Sequence, residues 1–212
     1  WFPAAQQGLA LGVFGAGNVG ASITKLIGPT LIAMIPAAGL AGGFIPGGWR
    51  FIPILYCVLL GVLAIAIWLF TPRHDRKPGA TRPVIDMLKP LKYVRVWRFS
   101  LYYVVVFGAY VALSVWLPKY YVDVYRMSLQ TAALLTVLFI FPASLLRPLG
   151  GYLSDKYGAR PVMYWVFGVM LISSLLLSLG VDVAWFTLLV VIVGVGMGIG
   201  KAAVYKYIPD YF

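Results

Sequence analysis

The chain has 212 residues, of which 62% are hydrophobic and 11% charged; 17 Lys and Arg face 6 acids, all of them Asp, for a formal net charge of +11. A soluble domain carries about 25% charged residues, so too little polar surface remains to cover a water-soluble core, and the mean hydropathy of +0.91 points to an all-α polytopic membrane protein. The basic residues flank apolar runs, which assigns them to membrane orientation rather than to a nucleic-acid partner, and a single cysteine, Cys57, excludes an internal disulfide.

Six apolar segments, near 7–34, 50–71, 99–118, 129–152, 162–180 and 184–205, are each long enough to cross about 30 Å of hydrocarbon. The first contains GVFGAGNVGASITK, in which Gly15, Gly17 and Gly20 spell G-x-G-x-x-G. A dinucleotide-binding turn needs a preceding strand and an acid about 20 residues on. Here the flanks are continuously apolar and the first acid is Asp75. The glycines are better read as small residues that let a helix or a small ligand approach the backbone. Gly12, Ala16, Gly20 and Thr24 share one face, with Gly17 and Asn18 beside it, and Asn18 brings an amide into the span. Pro29 predicts a bend, and Pro46-Gly47-Gly48 a turn into the second span.

Residues 71–98 hold eight Lys and Arg together with four prolines, and read as a linker between helix bundles. Ile85, Leu88, Leu91 and Val94 fit an amphipathic surface helix; a tether fits equally well. His74 beside Asp75 lacks convergent ligands, so neither a metal nor a cofactor is expected. With Lys156 and Arg160 on the same side as this loop, and only Arg50, Lys119 and Arg126 opposite, both ends of the chain are expected in the cytoplasm. The chain starts at Trp1 and stops at Phe212 without a polar tail, and is read as an excerpt of a longer protein.

The third span clusters aromatics, and Tyr103 and Phe107 lie four apart on one helical face. They could sandwich a flat ligand; helix packing is the alternative. Three cations, Lys25, Arg147 and Lys201, fall within spans that hold no deep acid. Each costs at least about 2.5–3.5 kcal/mol in the bilayer interior. An anionic substrate in a water-filled cavity would offset that cost. Arg147 suits a planar oxyanion because its guanidinium is a permanently charged fork of donors. Pairing with a carboxylate elsewhere in a longer chain is its alternative, Lys201 could snorkel from a helix end, and Lys25 could face the outer mouth of the cavity or an acid elsewhere in a longer chain.

The loop GGYLSDKYGARPV resembles the signature between paired helices of the major facilitator superfamily, through Gly151, Leu153, Asp155, Lys156, Gly158 and Arg160. Asp155 can there meet a helix N-terminus or a basic partner and latch one conformation, with Lys156, Gly158 and Arg160 completing the turn. WFPAAQQGLALGVFGAGNVG, LLRPLGGYLSD and GIGKAAVYKYIPDYF narrow the resemblance to the nitrate/nitrite porter family (NarK type). That resemblance implies spans five to ten of a twelve-helix transporter: 1–72 would close the N-terminal bundle, 73–97 link, and 98–212 open the C-terminal bundle. It further implies that Arg147 binds nitrate oxygens, that Gly15, Gly17 and Asn18 line the site, and that Tyr103 and Phe107 flank the anion; Lys25 and Lys201 are secondary candidates on their place in the spans alone. The expected activity is nitrate and nitrite transport by alternating access, not enzymatic, without cofactor, by a monomer of the full-length chain in the inner membrane. Nitrite exchange is the first expectation for coupling; proton symport, or a facilitator for another small anion, is the alternative, and Lys25 departs from the antiporter branch.

Overall fold

Backbone polar groups have no water to bond inside a bilayer, so apolar segments of this length satisfy them internally as helices. The structure, a computed structural model, describes residues 2–71, 88–180 and 182–211. Its helices are α1 (Gln7–Ala16), α2 (Gly20–Met34), α3 (Phe51–Phe70), α4 (Val94–Tyr103), α5 (Ala109–Asp123), α6 (Leu129–Leu145), α7 (Arg147–Tyr157), α8 (Ala159–Leu177) and α9 (Val183–Tyr211). Six stretches are long and apolar enough to cross a membrane, namely Gln7–Met34, Gly48–Phe70, Val94–Asp123, Leu129–Tyr157, Ala159–Leu177 and Val183–Tyr207. All six expected spans are there, the third longer at both ends. Most of the basic linker, with His74 and Asp75, lies outside the described residues, as does the Asp210 side chain.

Three spans are not uniform helices. A 3-10 turn at Gly17–Val19 joins α1 to α2, a π turn at Val104–Gly108 joins α4 to α5, and Leu146 separates α6 from α7. The irregularity expected at Pro29 lies instead at Gly17–Val19, because α2 continues through position 29. Gly15 and Gly17 relax the backbone there.

The chain divides into two compact units, Trp1–Thr24 with Leu91–Phe212, and Lys25–Pro90. In the second, a turn closed by Leu40 and Ile45 leads into α3, which buries none of its residues. So apolar a helix, with no buried face of its own, is suited to lipid or to another helix.

The first unit is built around α9, which packs against α1, α6, α7 and α8. The sequence GVGMGIG explains how one helix serves so many neighbours. Gly194 and Gly198 lie four apart against Phe139 and the Pro142–Ala143 backbone of α6, while Gly196 and Gly200 lie four apart against Met170 and Val166 of α8 and Val106. A Cβ on Gly198 would sit 2.8 Å from the Pro142 carbonyl oxygen, so side chains there would push the helices apart. Leu117, Tyr121, Phe139, Ile140, Met163 and Met197 form the centre of the core.

Candidate functional site

Arg147 owes its position to a broken helix. Pro148 offers no N–H to the preceding turn and its ring crowds the carbonyl four residues back. The chain breaks at Leu146 (φ −81°, ψ 4°), and α7 restarts with Arg147 as its first residue. The side chain is 3% exposed. Its Nη1 donates to the Gly15 carbonyl at 2.7 Å. Only glycine leaves that room: a Cβ on Gly15 would lie 2.6 Å from Nη1, and one on Gly12 would lie 2.5 Å from the Arg147 carbonyl oxygen.

The other two donor nitrogens, Nε and Nη2, are buried and make no hydrogen bond of good geometry among the described residues, although the Tyr103 hydroxyl lies close enough to interact with the guanidinium. They form one edge of the guanidinium, the edge that meets two oxygens of a planar oxyanion side by side. Leaving such donors unmet costs about 1–3 kcal/mol each. The positive end of the α7 dipole lies at the same place, which favours an anion further.

Aromatic rings border this cation. The Phe107 ring centroid is 5.8 Å from Arg147 Cζ. Tyr103, just before the π turn, and Phe107, within it, stack on each other, with centroids 5.0 Å apart and planes 20° apart. They form one wall rather than two jaws: the slot expected between them is filled by their own contact. Tyr103 is fixed from behind by Tyr205, hydroxyl to hydroxyl at 2.8 Å.

Lys201 also borders Phe107, with Nζ 5.6 Å from that ring and 3.1 Å from the Tyr110 ring. It donates to the Ala143 carbonyl at 3.0 Å and is fully buried. The side chain does not reach outward from the helix end, because it is buried against Tyr110 and bonded to the Ala143 carbonyl. Arg147, Gly15, Phe107, Tyr103 and Lys201 thus come together. Gly17 and Asn18 sit on the neighbouring 3-10 turn, which packs toward α6; Asn18 is half-buried, and a Cβ on Gly17 would meet nothing within 4 Å. Lys25 falls in the other unit. Among the described residues no group of His, Cys, Asp or Glu could hold a metal ion.

A second constellation lies at the other end of α7. Asp155 accepts from the Gly8 and Leu9 amides of α1 at 3.0 and 2.8 Å, and pairs with Lys206 of α9 at 3.1 Å. The first turn of α1 has no side-chain cap of its own, so Asp155 caps it from another helix. Both members of the pair are 8% exposed at the side chain. Lys206 escaped the sequence reading because the last span was ended one residue too early. Its signal was the spacing from Lys201, which places a second cation on a helix extended by one turn. Of the other loop residues, Gly158 turns the chain between α7 and α8 with φ 88°, Lys156 lies over the Tyr157 ring, and Arg160 Nε donates to the Tyr164 hydroxyl at 2.9 Å.

Comparison with known proteins decides the family, since the model of the Major Facilitator Superfamily matches residues 1–212. The chain belongs to the Major Facilitator Superfamily. Among its relatives, this facilitator is 64% identical over 233 residues to the probable nitrate/nitrite antiporter NarK1 of Thermus thermophilus, covering 100% of this chain and 52% of the relative. It is 32% identical to the nitrite extrusion protein of Bacillus subtilis, and 30% identical to the probable nitrate transporter NarT of Staphylococcus epidermidis, again covering 100% of this chain and 50% and 51% of those relatives. The facilitator chain spans about half the length of the curated relatives it matches.

Proposed function

We propose that the chain is the central half of a nitrate/nitrite carrier that works by alternating access between two helix bundles, with nitrate and nitrite exchanging at Arg147. The observation that carries this reading is the Nε/Nη2 edge, without a hydrogen bond of good geometry among the described residues, of a guanidinium that is 3% exposed. A planar monoanion completes that edge with two charge-assisted bonds and offsets the buried charge. The names of the relatives point to the same anions.

In this mechanism residues 1–72 and 98–212 belong to opposite bundles, and 73–97 links them. Asp155 then holds the first helix of one bundle to two helices of the other, and closes one end of the transport path. Positive-inside counting makes that end cytoplasmic, with both ends of the chain on the same side. Anion binding at Arg147 removes the charge that resists closure at the opposite end, and rocking of the bundles exposes the site to the other side. Gly15 fixes the guanidinium, Gly17 and Asn18 line the approach, and Tyr103 and Phe107 form the wall. Exchange is proposed ahead of proton symport because a relative 64% identical to this chain is named a probable nitrate/nitrite antiporter. The carrier acts as a monomer of the full-length chain in the inner membrane and catalyses no reaction.

The test uses the full-length parent protein in liposomes loaded with nitrite, with labelled nitrate outside. Nitrite-dependent uptake that disappears in Arg147→Ala is expected. Uptake driven by a proton gradient without nitrite would replace exchange by symport, and no uptake in either condition would sink the nitrate reading.

A further inference from the structure

Lys201 is the least expected residue of the site. A lysine amine on a side chain with no solvent exposure lies six residues inside the C-terminal end of a membrane-spanning helix, and no carboxylate among the described residues pairs with it. Its contacts are the Ala143 carbonyl and the face of Tyr110, a dipole and a ring quadrupole, which soften a charge but do not neutralise it. A second cation is close by. Lys201 Nζ and Arg147 Cζ both border the Phe107 ring, at 5.6 and 5.8 Å from its centre, so their separation is at most the sum of those distances. Arg147 in turn has two unmet donors. Two buried positive charges around one apolar ring repel each other, and the described side chains around them supply nothing negative.

A packing role for Lys201 does not account for this. A methionine or leucine would fill the same space without desolvating a charge. What a lysine adds over those side chains is a basic amine that takes up charge when an anion lies beside it. A lysine differs from an arginine in carrying its charge on a flexible stem with three rotatable donors. Arg147 is pinned by the Gly15 carbonyl, whereas the Lys201 ammonium is held by one hydrogen bond and a ring.

We propose that Lys201 is a second cationic ligand of the anion site centred on Arg147, resting on Tyr110 and the Ala143 carbonyl when no anion is bound and turning its free donor to the anion when one arrives. This rests on the reading of Arg147 as an anion ligand and extends it. The anion is gripped from two helices, α7 and α9, by a fixed fork and a mobile point charge. Loss of the anion restores the repulsion between them, which sets up the next conformational step.

The experiment measures nitrate binding by titration calorimetry on the full-length parent protein in nanodiscs, with thermal unfolding followed with and without nitrate. Lys201→Gln keeps a donor for the Ala143 carbonyl and removes the charge; Lys201→Met removes both and supplies a second variant should the first fail to fold. Both are expected to bind nitrate about tenfold more weakly or worse, the scale of one charge-assisted bond. Without nitrate, Lys201→Gln is expected to unfold at a higher temperature than wild type, because a repelling charge has gone. Nitrate is expected to raise that temperature less than it does in wild type. A structural lysine gives the opposite signs: unchanged affinity with a lower nitrate-free unfolding temperature overturns the proposal. Absence of nitrate binding in the wild type is a different failure, and is read before any variant is compared; it removes the anion reading of Arg147 and this inference with it.

Discussion

Helix α7 has charged groups buried at both ends, and the two ends are completed in different ways. At the C-terminal end, Asp155 meets two α1 amides and Lys206, so the positive charge of Lys206 is balanced within the chain. At the N-terminal end, Arg147 has one backbone carbonyl for three donor nitrogens, and Lys201, which also borders Phe107, rests on a ring and another carbonyl. The same contrast recurs along α9, where Lys206 has a carboxylate and Lys201 has none. A pair completed within the chain holds one conformation. A charge left incomplete creates a demand that a ligand can meet. The first kind of site fits a latch, the second a substrate seat.

The comparison breaks most sharply at the latch. Asp155→Asn removes the carboxylate that Lys206 meets and weakens the cap on α1. Removing one partner of a buried pair costs about 3–5 kcal/mol. Spin-label distances across the bundles of the full-length protein should therefore shift toward the state open at this end. Adding Lys206→Gln should recover much of the loss, because removing both charges of a buried pair is often close to neutral. No recovery in the double variant would mean that the amide cap, not the pair, holds the helices.

At the other end of α7, Arg147→Lys keeps the charge and loses the two-donor edge. Nitrate affinity should fall about 10–100-fold, a loss of about 1.4–2.7 kcal/mol. Unchanged affinity would show that charge alone suffices there. Gly12→Ala tests the scaffold between the two ends. The new Cβ meets the Arg147 carbonyl oxygen at 2.5 Å, and the strain should cost about 1–3 kcal/mol in thermal stability. Gly17→Ala is its control. It points into open space, and stability should change by less than about 0.5 kcal/mol. An effect of Gly17→Ala on nitrate affinity without one on stability would place the backbone of the 3-10 turn against the anion.

The glycine pair shows how far periodicity carries. Spacing of four put Gly12 and Gly20 on one face of a continuous helix, but the close approaches are at Gly8, Gly12 and Gly15, and Gly20 is open. The reason is the 3-10 turn, which changes the register between α1 and α2. The π turn does the same for the aromatics: Tyr103 and Phe107 share a face, as spacing predicts, but stack on each other. Local departures of this kind leave little trace in a hydropathy pattern.

Six spans, the lack of an acid deep within them, and an aspartate close to a tight turn were legible in the sequence alone, although Asp155 itself lies in the last turn of α7. They depend on composition and on order along the chain, and a bilayer permits few ways to fold such segments. Only the tertiary structure decided which charges are satisfied. Asp155 meets residues far from it in sequence, from Gly8 to Lys206, and Lys201 is brought beside the ring that also borders Arg147. Charge balance in a buried site depends on distances of a few ångströms between helices, and those distances are set by the packing of α1, α7 and α9 through their glycines.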